Sequence, residues 1–306
     1  MRLRTRPRGE QCAPRAQSAI RQALLGRLHG VEGRLPFRGF ETWYRVVGDA
    51  EQPGRLPLLC LHGGPGGSHY GLQPLEELAR AGRRVVFYDQ LGGGESDRPD
   101  DSSLWTVELF LDELRTVRKA LGLERLHLFG SSWGGMLALE YALIQPDGLA
   151  SLVLNSSPTS APRWAEEAKR LYEALPTGLS EKDAEAEFWR RHICRLDPEP
   201  ETVAKGKSMA NKQVYETMWG PTEFNVTGTL KDWDVIDRLG EIGVPTLVTS
   251  GRHDECTPAL VEPLVEGVAE AEWVLFEESS HMPYQEERER YLAVVGDFLA
   301  RSEDRL

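Results

Sequence analysis

From residue 31 onward, short apolar runs bounded by turn residues alternate with longer stretches whose apolar positions recur every three or four residues. The runs read as buried strands, and the 3.6-residue recurrence reads as helices that cover them. The predicted strands are residues 34–38 and 41–47, a hairpin turning at Gly39, then 56–61, 84–88, 126–129, 150–155, 244–249 and 272–276. Helical spacing covers 72–81, 105–121, 136–144 and 285–300, with Asp101-Ser102-Ser103 offering caps to the second of these. Strands and helices alternating at these lengths predict an α/β fold, a mostly parallel sheet with helices on both faces. The rhythm breaks between residues 158 and 233. Helical runs at 163–174 and 182–195 dominate there, with loops around Pro198-Glu199-Pro200 and Gly220-Pro221. The expected organisation is a core of residues 31–157 and 234–306 with an inserted helical cap, 158–233.

Composition narrows the class. The 306 residues are 40% hydrophobic and 27% charged, which excludes a wholly disordered or collagen-like chain. No run approaches the roughly 18 apolar residues of a membrane span. The net charge of −12 argues against nucleic acid as a partner. Residues 1–30 depart from this balance with seven arginines and one glutamate. They have no apolar h-region of a secretory signal and read as a flexible basic arm, continuing into a short helix near 18–28 with Ser18 as a cap. Cys12, Cys60, Cys194 and Cys256 fit neither a metal knuckle nor a disulfide framework, so a reducing compartment, the cytoplasm, is expected.

The chemistry concentrates after the strands. Gly130-Ser131-Ser132-Trp133-Gly134 has the form G-x-S-x-G between a predicted strand and helix, the context in which a serine stands exposed on a strained turn. Ser132 matches the motif; Ser131, one residue early, is its rival. A serine needs a base and a residue that orients the base, and on this fold the chain order is serine, acid, histidine. Asp254 follows the strand at 244–249, and His281 follows the last strand. His29, His62, His69, His127, His192 and His253 fit that order less well. After an early strand, His62-Gly63-Gly64-Pro65-Gly66 supplies backbone N–H groups of the kind an oxyanion requires, and the N–H of Trp133 is the second donor. A phosphate-cradling loop is disfavoured because no Lys-Ser/Thr follows. Asp89-Gln90 with Gly92-Gly93-Gly94 shapes a tight turn near the site. Trp164, Trp189, Trp219 and Trp233 either line an apolar pocket in the cap or pack in a core. No cofactor or metal is implied.

Together, HGGPG, DQLGGGES, GSSWGG, GRHDE and SSHMP resemble the proline iminopeptidase family of α/β-hydrolases over about residues 31–300. Gly220-Pro221-Thr222-Glu223-Phe224, Thr227-Gly228-Thr229-Leu230-Lys231-Asp232-Trp233 and Asp254-Glu255 are similar to its tricorn-interacting aminopeptidase branch. The resemblance implies a serine aminopeptidase acting on short peptides or amino-acid amides with a free N-terminus. It implies Ser132, Asp254 and His281 as the triad and Gly64 and Trp133 as oxyanion donors. Glu223 and Glu255 match the pair that holds the substrate's amino terminus. An esterase or amidase without free-amine selectivity, or a ligand receptor derived from a hydrolase, stays open as the alternative. The basic arm departs from the family pattern.

Overall fold

A computed structural model describes residues 30–48 and 51–306; the basic arm through His29, with the expected helix at 18–28, lies outside the described residues. The hairpin forms as β1 (Gly30–Phe37) and β2 (Phe40–Val47), so pairing starts at Gly30. Arg38 and Gly39 at its turn both have positive φ, 49° and 87°. This is the two-residue turn whose twist matches that of the strands.

Among the described residues the sheet has eight strands, in the order β1-β2-β4-β3-β5-β6-β7-β8. The others are β3 (Leu58–Leu61), β4 (Val85–Tyr88), β5 (Leu126–Ser131), β6 (Leu149–Asn155), β7 (Thr246–Gly251) and β8 (Ala271–Phe276). β2 runs antiparallel to β1 and β4, and all pairs from β4 through β8 are parallel. Successive strand residues face opposite sides, so a run without polar residues supplies two cores. Leu59, Leu61, Val86 and Tyr88 pack beneath α1 (Val107–Ala120) and α2 (Trp133–Leu143). Leu58, Cys60, Val85 and Phe87 face a 3₁₀ segment, His69–Ala81, and the C-terminal helices.

Several elements differ from the sequence expectation. Residues 69–81 wind as 3₁₀ turns interrupted by Pro74, which has no N–H to give an α-helical ladder. α1 is capped by Thr106, whose hydroxyl accepts from the Leu109 N–H at 3.2 Å; Asp101 caps only a short turn before it. The closing helix is broken at Glu287 into α8 (Pro283–Glu286) and α9 (Arg288–Glu303).

Between β6 and β7 the chain forms α3 (Ala161–Glu173), α4 (Glu181–Phe188), α5 (Glu201–Ser208) and α6 (Lys212–Met218). The helical run expected at 182–195 leaves the α-helix at Trp189 and closes in a π-turn, Trp189–Ile193. The segment leaves and rejoins the core at one place, where Ser160 bridges Asp234. Its own small core contains Leu175, Ala184, Phe188 and Ile193. α7 (Pro258–Gly267) crosses between the last two strands.

Candidate active site

β5 turns directly into α2 at Ser132, whose φ of 56° and ψ of −123° are strained for a side-chain-bearing residue. The flanking glycines permit this. A Cβ at Gly130 would overlap the Gly134 carbonyl, and one at Gly134 would overlap the Leu61 carbonyl. Ser132 N–H donates to the Asn155 carbonyl at 3.0 Å, and its hydroxyl makes no capping bond to α2. Ser131, its rival, is buried, and its Oγ accepts from Asn155 Nδ2 at 3.1 Å.

The loops after β7 and β8 meet at Asp254 and His281. Asp254 Oδ1 lies 2.7 Å from His281 Nδ1 and also accepts from the Cys256 N–H at 2.8 Å. The histidine loop is held from behind. Glu286 accepts from the Ser280 N–H (2.6 Å) and hydroxyl (2.8 Å), while Asn155 Nδ2 and Ser156 Oγ–H donate to the His281 carbonyl. Trp164 stands edge-on to the imidazole at 6.0 Å. Burial opposes charging the ring, but the charge and hydrogen bond of Asp254, with Glu223 and Glu286 beyond, prevail. His281 is therefore raised above the usual 6.5.

The glycine loop after β3 lies over Ser132: a Cβ at Gly63 would stand 3.2 Å from that of the serine. Gly64, Ser132, Glu223, Glu255 and His281 all line one cavity of about 620 Å³. Asp254 sits directly behind His281, and Trp133 is the first residue of α2. The seven residues singled out in the sequence thus converge, although Ser132 and His281 are 149 positions apart in the chain.

The two glutamates are electrostatically unusual. Glu223 accepts from the Tyr215 hydroxyl at 2.6 Å, and one oxygen of the buried Glu255 has no partner. Among the described residues no lysine or arginine pairs with either; Glu255 comes within 3.8 Å of His281 Nδ1. Burial pushes the Glu223 carboxyl up, against the Tyr215 hydrogen bond and the His281 charge. Burial, then the charges of Glu223 and Asp254, push Glu255 well above the ordinary carboxylate range. This arrangement favours a cation between them.

Sequence reasoning missed Tyr215 and Asn155. Asn155 is the more legible in retrospect, because it is a polar residue following the apolar run Leu152-Val153-Leu154 at the end of a buried strand. Of the tryptophans, Trp189 lines the cavity and Trp164 abuts His281. Trp219 is buried edge-on to Trp164, and Trp233 donates its indole N–H to Glu140 at 2.7 Å. Asp89 is consumed structurally by His69 and the Glu95 N–H. Among the described residues no cluster of three His, Cys, Asp or Glu side chains could hold a metal, and no helix is long and apolar enough to cross a membrane.

The sheet order and the serine turn define an α/β-hydrolase, and the family model described as the alpha/beta hydrolase fold matches residues 57–287. The chain is 40% identical over 295 residues to the proline iminopeptidase of Lactobacillus helveticus (strain DPC 4571), covering 90% of this chain and 99% of that one. It is 40% identical over 284 residues to the proline iminopeptidase of Heyndrickxia coagulans, covering 87% and 95%. The crystal structure of the Mycobacterium smegmatis proline iminopeptidase matches with a TM-score of 0.84 at 41% identity, covering 89% of this chain and 99% of that one. The chain belongs to the proline iminopeptidase family of α/β-hydrolases and is a hydrolytic enzyme of the aminopeptidase type.

Proposed function

We propose that this enzyme is a serine aminopeptidase that releases the N-terminal residue of short peptides, or hydrolyses amino-acid amides, through an acyl-enzyme. The observation that carries the proposal is the sharing of one cavity by Ser132, His281, the buried Glu255 and the half-buried Glu223, the two glutamates having no lysine or arginine partner among the described residues. Glu223 and Glu255 hold the substrate's α-ammonium by charge-assisted hydrogen bonds, which places the first carbonyl over Ser132. His281 takes the Ser132 proton as the oxygen attacks, and Asp254 holds the ring with Nδ1–H toward itself. The N–H groups of Gly64 and Trp133 receive the developing oxyanion. His281 then protonates the leaving amine, and a water deacylates Ser132 by the same route.

In this proposal residues 158–233 act as the cap that carries Glu223 and excludes solvent from the attack. The finer likeness to the tricorn-interacting branch, with its broader N-terminal preference, belongs to the same proposal. Cytoplasmic residence is inferred from the cysteines: Cys60, Cys194 and Cys256 are buried free thiols.

The test is a panel of aminoacyl-arylamides with acetyl-blocked and ester controls. Turnover of free-amine arylamides and rejection of their acetylated forms supports the proposal. Equal turnover of blocked and free substrates favours an esterase or amidase without amine selectivity. Failure of a fluorophosphonate probe to label Ser132 favours a ligand receptor.

A further inference from the structure

Gln90, fully buried at the start of the loop after β4, makes three hydrogen bonds to the two segments that carry the proposed oxyanion donors. Its side-chain carbonyl accepts from the Trp133 indole N–H at 2.7 Å. Its side-chain amide donates to the His62 carbonyl at 3.1 Å, and its backbone N–H donates to His62 Nε2 at 3.0 Å. The amide orientation is forced, because an indole N–H only donates and a backbone carbonyl only accepts.

The contact continues through His62. With Nε2 accepting, the ring hydrogen resides on Nδ1, which faces the Gly63 carbonyl oxygen at 2.8 Å. That carbonyl shares its peptide unit with the N–H of Gly64. In a trans peptide the two point in opposite directions, so fixing one aims the other. Gln90 is itself held in place on both sides. Asp89 accepts from His69 and the Glu95 N–H, and the Leu91 N–H donates to Glu113 at 3.0 Å.

We infer that Gln90 is a positioning residue that aligns both oxyanion donors at once, Trp133 through its indole and Gly64 through His62 and the Gly63 carbonyl. The inference rests on the proposed oxyanion role of those two N–H groups.

The test compares wild type with Gln90→Met, which keeps the side-chain length but removes both side-chain hydrogen bonds. Trp133→Phe is the second variant; it removes the indole donor and keeps the backbone N–H. The readouts are kcat and KM on a prolyl-arylamide, inhibition by free proline, and inhibition by a prolyl trifluoromethyl ketone, whose adduct with Ser132 carries an oxyanion. Gln90→Met is expected to lower kcat about 10- to 100-fold and to weaken the ketone in parallel. KM and proline inhibition should stay within about twofold. Trp133→Phe should reproduce part of the loss, and the double variant should lose less than the two effects multiplied. A loss confined to KM, a fall in kcat without weaker ketone binding, or fully multiplicative effects would overturn the inference. If Gln90→Met does not fold, Gln90→Glu, which keeps the acceptor for Trp133 and loses the amide donor, carries the same comparison. If wild type binds the ketone no better than proline, the oxyanion assignment itself fails. Tight ketone binding that Gln90→Met leaves intact overturns only the role of Gln90.

Discussion

At the end of the sheet remote from the cavity, Glu303 of α9 is buried among donors. Arg83 and Arg55 reach it at 2.7 Å, the Leu56 N–H at 2.7 Å and His127 Nε2 at 3.3 Å. At the cavity end, Glu255 is also buried and Glu223 half-buried, but Tyr215 is the one hydrogen-bond donor to either among the described side chains. Burial alone would raise all three carboxyls. At Glu303 the hydrogen bonds from His127, Arg83, Arg55 and Leu56 overcome burial and hold it down at about 2. At Glu223 and Glu255 burial prevails. The same residue type thus serves opposite ends. One site is satisfied by the fold and ties the C-terminal helix to the starts of β3, β4 and β5. The other has no such set of donors, at a cost to the folded protein whenever both carboxyls are ionised.

Substitutions at the two ends should separate activity from stability. The largest effect is expected for Ser132→Ala, which should lower kcat by at least about 10⁴-fold. Its denaturant midpoint should stay near that of wild type. Near-normal turnover, or a probe adduct mapped to Ser131, would remove Ser132 from its role.

Glu303→Gln should behave in the opposite way. Removing the charge leaves Arg83, only 1% exposed, without its buried counterion, and breaking such a pair costs about 3–5 kcal/mol. Urea unfolding should report that loss, while kcat/KM measured well below the transition stays within about twofold. A stability change under 1 kcal/mol would break the contrast between the two ends.

Glu223→Gln and Glu255→Gln should each cost about 2–5 kcal/mol of transition-state stabilisation on aminoacyl-arylamides, read as kcat/KM. An ester lacking an amine should lose much less, and stability should hold or rise because like-charge repulsion is relieved. A parallel fall in both activities would point to Glu255 supporting the Asp254–His281 pair; no change in either would remove the amine-recognition role.

The smaller effects are in pH. Glu303 is depressed, so its stabilisation is present above the ordinary glutamate value of 4.5 and is lost as pH falls from there toward about 2. Glu223 and Glu255 are raised, so their contribution is best at low pH and is lost as pH rises through 4.5 toward their folded-state values. Unfolding curves of the glutamine variants at several pH values should remove one slope or the other. Activity on free-amine substrates should be bell-shaped. It rises as His281 loses its proton, above the usual 6.5, and falls as the substrate amine deprotonates near ~8. Because Glu223 helps raise His281, Glu223→Gln should move the acid limb to lower pH; an unmoved limb would show that the two groups do not feel each other.

The sequence alone determined what short-range physics controls. Apolar periodicity marked the strands and most helices, and Gly130 to Gly134 marked a turn that only glycine-flanked chain can make. The order of Ser132, Asp254 and His281 followed from their places after the predicted strands at 126–129, 244–249 and 272–276. Tertiary structure decided what depends on the facing partner. It engaged Ser131 with Asn155 and left the Ser132 hydroxyl free of α2. It placed Tyr215 on Glu223, joined Gln90 to both His62 and Trp133, and wound 69–81 as 3₁₀ turns where the spacing suggested an α-helix. It also gave Glu303 and Glu255 opposite electrostatic states, which no local pattern distinguishes. Desolvation and charge pairing depend on groups that are distant in the chain, and only packing brings them within a few ångströms.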